Sequence, residues 1–135
     1  MENLYIPPSE VMPEITLSHK DNIFRIRGCS RPENVREMYE PVLTWLSDYK
    51  KKLITGRSIY TENNPLIFQL YLEYFNSSTV KFLFDIIMIM KSLEEEGIPI
   101  AIHWFYDPED PDSREAGEDL AGLAEIGFKY IERQE

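Results

Sequence analysis

Asn76-Ser77-Ser78-Thr79 sets one amide and three hydroxyls side by side, straight after the apolar run Leu66–Phe75 and straight before an apolar stretch. Two kinds of chemistry suit such a cluster. Asn76 or Ser77 can cap a helix by accepting from a free backbone N–H, worth about 1 kcal/mol. A hydroxyl at the same place can also accept a phosphoryl group. That group adds about −1.5 to −2 charges and three acceptor oxygens, and unpaired amides with the helix dipole favour it by about 0.3–1 kcal/mol. The domain tolerates it, but a partner docked over the turn would have to desolvate a dianion.

Other constellations are weaker. His19 falls in a hairpin turn and His103 in a strand, with no paired spacing of the kind a metal-binding helix shows. Among 6 glycines there is no phosphate-cradling motif, and the lone Cys29 has no local His to activate it. Asp107-Pro108-Glu109-Asp110-Pro111-Asp112 has carboxylates at calcium-loop density, with Glu118 twelfth from Asp107. Pro111 nevertheless replaces a ligand, and Asp112 stands where that loop needs a sharply turning glycine. A small metal-binding protein or enzyme built on the acids of 107–119 is the alternative reading. No resident metal or cofactor is expected.

These residues need a scaffold, and the chain can supply one. It has 135 residues, 43% hydrophobic and 13% aromatic, enough for one domain over 1–135 with its own core and too rich for disorder. No apolar run reaches the ~20 residues of a membrane span, and the amino terminus lacks a secretory pattern. The expectation is a cytoplasmic domain. Net charge is −10, all of it in the last third: residues 1–93 hold 11 acids and 11 bases, residues 94–135 hold 13 acids and 3 bases. With no basic stripe interleaved with aromatics along the chain, neither nucleic acid nor an anionic membrane is an expected partner.

Leu4–Pro13 reads as irregular, with a short extended piece at Leu4–Ile6. Glu14–Ser18 and Asn22–Arg27 alternate polar with apolar and form an antiparallel hairpin closed by Gly28. A helix opens at Ser30-Arg31-Pro32-Glu33-Asn34, with Ser30 or Arg31 as cap and Pro32 in the first turn. Val35, Met38, Tyr39, Val42, Trp45, Leu46 and Tyr49 give it one apolar side, and Pro41 predicts a kink or a break. Leu66–Phe75 is a strand for the middle of a sheet. The next helix runs to about Glu96 and exits at Gly97. It is apolar nearly all round, which fits a helix wholly in the core or one shared between core and partner. Ile98–Phe105 is a strand, Tyr106–Ser113 an acidic loop, Glu115–Glu125 a helix and Phe128–Ile131 a short strand. The fold class is α/β: a mixed sheet with an N-terminal antiparallel hairpin and packed helices.

Four segments, Gly28-Cys29-Ser30-Arg31-Pro32-Glu33-Asn34, Tyr74-Phe75-Asn76-Ser77-Ser78-Thr79-Val80-Lys81, Trp104-Phe105-Tyr106-Asp107 and Glu115-Ala116-Gly117-Glu118-Asp119, resemble the SiaC family of bacterial regulatory phosphoproteins in order and spacing. That resemblance implies a fold like that of anti-sigma-factor antagonists (STAS-like) and no enzymatic activity. It implies a protein that binds and activates a diguanylate cyclase when unphosphorylated, under a dedicated kinase and phosphatase. By position the phosphoacceptor falls on Ser77, where the family usually has Thr followed by Ser; Ser78 is the alternative. Asn76, Thr79, Lys81, Glu33 and Asn34 fall on motif positions and are the implied partner-binding residues.

Overall fold

The computed structural model describes residues 1–134; Glu135, the last residue of the expected 1–135 domain, lies outside them. The elements are β1 (Leu4–Ile6), β2 (Glu14–Ser18), β3 (Ile23–Ser30), α1 (Val35–Thr55), β4 (Leu66–Phe75), α2 (Ser77–Glu95), β5 (Ile100–Tyr106), α3 (Pro111–Ala124) and β6 (Lys129–Glu132). They build a six-stranded sheet whose spatial order is the chain order, β1 to β6. The first three strands pair antiparallel, and β3 to β6 pair parallel. The expected mixed sheet with its amino-terminal hairpin is the observed one.

Each parallel step crosses over through a helix: α1, then α2, then α3. Right-handed crossovers advancing in one direction put every helix on the same face. Strand alternation agrees. Phe24 and Ile26, Phe68, Leu70 and Leu72, and Ile102 and Trp104 are buried beneath the helices. Their neighbours Arg25, Arg27, Gln69, Tyr71, His103 and Phe105 point to the other face, which no helix covers.

Several expectations need correcting. Gly28 does not end β3; at φ +118 it absorbs an irregularity in the pairing with β4, and the strand continues to Ser30. Neither Ser30 nor Arg31 caps α1, and Pro32 is not in its first turn. Ser30 is held in the sheet opposite Phe75, so Asn34 becomes the cap and accepts from the Glu37 N–H. Pro41 does not divide α1, which runs unbroken to Thr55. It lies on the exposed side, where the carbonyl it leaves unpaired can turn to water. The acidic loop is shorter than expected: Asp110 caps α3 and Pro111 opens it. The last strand sits one residue later, at Lys129–Glu132.

The over-apolar α2 is explained mainly by its place. It lies between α1 and α3 on the sheet, with Phe82, Leu83, Ile86, Ile87, Met90 and Leu93 buried. Met88 is its exposed large apolar residue, at 38%.

His103, on the uncovered face, is opposite Lys129 in β6. Partial desolvation, and then the Lys129 charge, hold its pKa below the ordinary 6.5. The folded state therefore prefers the neutral ring. As pH falls through 6.5 the unfolded chain takes up this proton more readily, so stability drops. His103→Gln is expected to flatten that part of the stability–pH curve, measured by urea unfolding on either side of pH 6.5.

Candidate functional site

β3, β4 and β5 each deliver the chain at their carboxyl ends into a helix start, so three helix amino termini share one edge of the sheet. In α/β folds this edge is where ligands and partners are met. At its centre is the β4–α2 turn. Asn76 is the N-cap, with φ −89 and ψ 171, and its Oδ1 accepts from the Thr79 N–H at 3.1 Å. The same oxygen accepts from the Thr79 hydroxyl at 2.7 Å and the Ser78 hydroxyl at 2.9 Å. The Asn76 N–H donates to the Ser30 carbonyl, tying the turn to β3.

Behind the cap lies a buried hydroxyl chain. Ser30 Oγ is 3.1 Å from Thr79 Oγ1 and 2.8 Å from the Tyr39 hydroxyl. Asn76 Oδ1 can only accept, so the chain runs Tyr39 to Ser30 to Thr79 to Asn76, each hydroxyl donating once. Burial pushes the Tyr39 phenol well above its ordinary range, which keeps it neutral and donating. Ser30 and Thr79 are both fully buried. Of the three adjacent hydroxyls, those of Ser77 and Ser78 face solvent. Thr79 has turned inward, and its side chain belongs to the support of the turn rather than to the face a partner would meet.

Ser77 and Ser78 are both exposed, but they are not equivalent. Ser78 is engaged by Asn76, whereas the Ser77 hydroxyl is bonded to no described residue. Lys81 is exposed one turn further along α2, on the side of Ser77, with its ammonium 5.5 Å from the Phe82 ring. Glu33 and Asn34 are exposed at the start of α1, where Asn34 serves as its cap. Apolar surface flanks the turn. On one side a groove is walled by Ile6, Val11, Met12, Pro32 and Met38, with Glu33 and Glu37 on its rim. On the other, Tyr74, half-exposed at 52%, borders a hollow with Phe75 and Trp104.

The SiaC family of regulatory phosphoproteins matches residues 6–133. The chain belongs to that family. Family membership makes it a regulatory phosphoprotein. A crystal structure of apo-SiaC from Pseudomonas aeruginosa superposes with a TM-score of 0.81 at 25% identity, over 99% of this chain and 100% of that one. SiaC in complex with the diguanylate cyclase SiaD, whose activator it is, gives 0.80 at 25% identity, over 96% and 97%. An uncharacterised protein of Pseudomonas aeruginosa strain UCBPP-PA14 is 29% identical over 107 residues, 79% of this chain and 78% of that protein.

The family motifs now acquire physical roles. The segments around Ser30, Asn76 and Asn34 meet at the capped edge. Trp104 and Gly117 come from separate motifs and touch each other across the α3–sheet contact. The acids of 107–119 are spread along the start of α3. Asp107 and Asp110 accept from the backbone N–H groups of Glu109 and Asp112. Among the described residues no three His, Cys, Asp or Glu side chains converge to hold a metal, and no helix is long and apolar enough to cross a membrane.

Sequence reasoning missed Ser30 and Tyr39 as supports of the turn. Ser30 and Thr79 are 49 residues apart, so no local pattern announces the pair. Asn76→Ala removes one acceptor from three donors. It is expected to cost about 1–2 kcal/mol in chemical denaturation, the upper part of the range for a lost cap.

Proposed function

We propose that this chain is a cytoplasmic, non-enzymatic switch whose phosphoacceptor is Ser77. Unphosphorylated, the edge formed by Asn76, Lys81, Glu33 and Asn34 docks on a signalling partner. The SiaC–SiaD complex points to a diguanylate cyclase as that partner. A cognate kinase transfers a phosphoryl group to Ser77 and abolishes docking, and a phosphatase restores it.

One observation carries the assignment: Ser77 offers an exposed, unengaged hydroxyl, while Ser78 is held by Asn76 and Thr79 is buried. In the transfer, Ser77 Oγ attacks the γ-phosphorus of ATP, its bond to the β-bridging oxygen breaks and ADP leaves. The hydroxyl proton needs a base, and neither Asn76 nor Ser78 can be one; the kinase supplies it. Once formed, the phosphate lies at the positive end of α2 with Lys81 one turn away, so the fold accepts the dianion without rearrangement.

The test is direct. Incubation with the cognate kinase and ATP is expected to add one phosphate, mapped by mass spectrometry to Ser77 and absent from Ser77→Ala. Undiminished labelling of Ser77→Ala, or a site mapped to Ser78, overturns the assignment.

A further inference from the structure

The uncovered face of the sheet has a composition unlike the rest of this molecule. Parallel sheets are ordinarily covered on both faces, yet β3 to β6 are parallel and all three helices lie on one side. Register lines up two rows across the bare side. One carries Arg25, Gln69, His103 and Lys129; the next carries Arg27, Tyr71, Phe105 and Ile131. A chain with a net charge of −10 has thus gathered cations on this surface, Arg133 among them.

The guanidinium groups are held in place. Those of Arg27 and Arg133 lie 5.4 and 5.2 Å from the centre of the Tyr71 ring, and that ring is 5.1 Å from Phe105. Arg25 reaches a carboxylate only at 4.0 Å, that of Glu14. Arg133 donates to the Leu72 carbonyl, and the Nε–H groups of Arg25 and Arg133 are buried, which leaves the terminal N–H groups of Arg25 and of the exposed Arg27 for a ligand. Fixed guanidinium forks with donors to spare match carboxylates, and the apolar strip of Phe105 and Ile131 beside them calls for an apolar side on the same ligand.

We propose that this face is a second docking surface, which takes an acidic amphipathic segment of a protein partner. Single-stranded RNA is the less suitable occupant. Arg27, Arg133 and Phe105 already pack on Tyr71, so that ring is not a free platform for a base. The face lies across the sheet from α2, so binding here is independent of the state of Ser77 and stands whether or not Ser77 is the phosphoacceptor.

The probe is a synthetic helical peptide of about 18 residues with Glu along one side and Leu along the other. Titrated into ¹⁵N-labelled protein, it is expected to shift the amides of β3, β4 and β5 around Arg25, Arg27, Tyr71 and Phe105. Arg27→Glu should weaken binding about tenfold, and Arg27→Gln less, with Ser77→Glu without effect. The labelled spectra themselves report that each variant is folded. No binding, shifts confined to the helical face, or unchanged affinity in both Arg27 variants overturns the proposal. So does a short oligouridylate that shifts the same amides at lower concentration than the peptide. A concentration-dependent dimer dissociated by Arg27→Glu would give the face to a second copy of the chain, which also overturns it.

Discussion

Ser77→Glu is expected to weaken binding of the signalling partner by about tenfold or more, at least about 1.4 kcal/mol. The fold should be unchanged, because Ser77 is exposed and bonded to no described residue. The effect arises in the complex. Free in water, a carboxylate at the start of α2 is solvated and mildly favoured by the helix dipole. Covered by a partner, it loses that water, and only Lys81 stands within one turn to compensate. Glu carries one negative charge and two oxygens, so the true phosphate should act more strongly. Isothermal titration of the partner into wild type, Ser77→Ala and Ser77→Glu measures the series. Ser77→Ala should bind as wild type does, since the hydroxyl holds nothing together. Equal affinity across all three would remove the switch from this turn, while a phosphate mapped to Ser77 would then remain as a modification without that consequence.

The second large effect concerns stability. Trp104→Ala is expected to cost about 3–5 kcal/mol, the range for removing a buried aromatic. Trp104 is 2% exposed and is the keel on which α3 rests. Its indole stacks near Phe128 at 6.0 Å, meets Phe75 edge-on at 6.0 Å, and donates to the Ser113 carbonyl at 2.9 Å. Gly117 of α3 lies so close that a Cβ there would sit 2.6 Å from the ring. Gly117→Ala therefore sets two effects against each other. Alanine is the better helix former by about 0.8–1.0 kcal/mol, and overpacking against a ring that cannot retreat costs about 1–3 kcal/mol. Overpacking should win, so Gly117→Ala lowers the urea midpoint. A raised midpoint would show that the indole can move and that the contact is loose. Because Phe75 closes the strand that leads into Asn76, loss of Trp104 should also loosen the Ser77 turn, seen as faster amide exchange at Ser77 and Ser78.

Much of this was legible in residue order alone, and the reason is locality. Alternation in Glu14–Ser18 and Asn22–Arg27 specified the hairpin. The ten apolar-rich residues Leu66–Phe75 located β4 to the residue, and the hydroxyl cluster after them narrowed the cap of α2 to Asn76 or Ser77. Helical spacing marked the buried side of α1. Such signals depend on neighbours within a turn or a pleat, so a chain displays them before it folds. Motif likeness added the family and, with it, the regulatory role.

What distinguished Ser77 from Ser78 and Thr79 was decided only in three dimensions. Three adjacent hydroxyls are equivalent on paper. Asn76 engages the second, and the third is drawn inward by Ser30 and Tyr39 from distant parts of the chain. The same holds for the start of α1, where pairing with β4 keeps Ser30 in the sheet and passes the cap to Asn34. The cationic, aromatic face is the clearest case. Arg27, Tyr71, Phe105 and Arg133 are scattered over four strands or strand ends, and no window of sequence contains a basic stripe. Sheet register brings the first three into one row, because hydrogen bonding between strands aligns residues by partner and not by position along the chain, and Arg133, just past β6, reaches the Tyr71 ring from beyond that row.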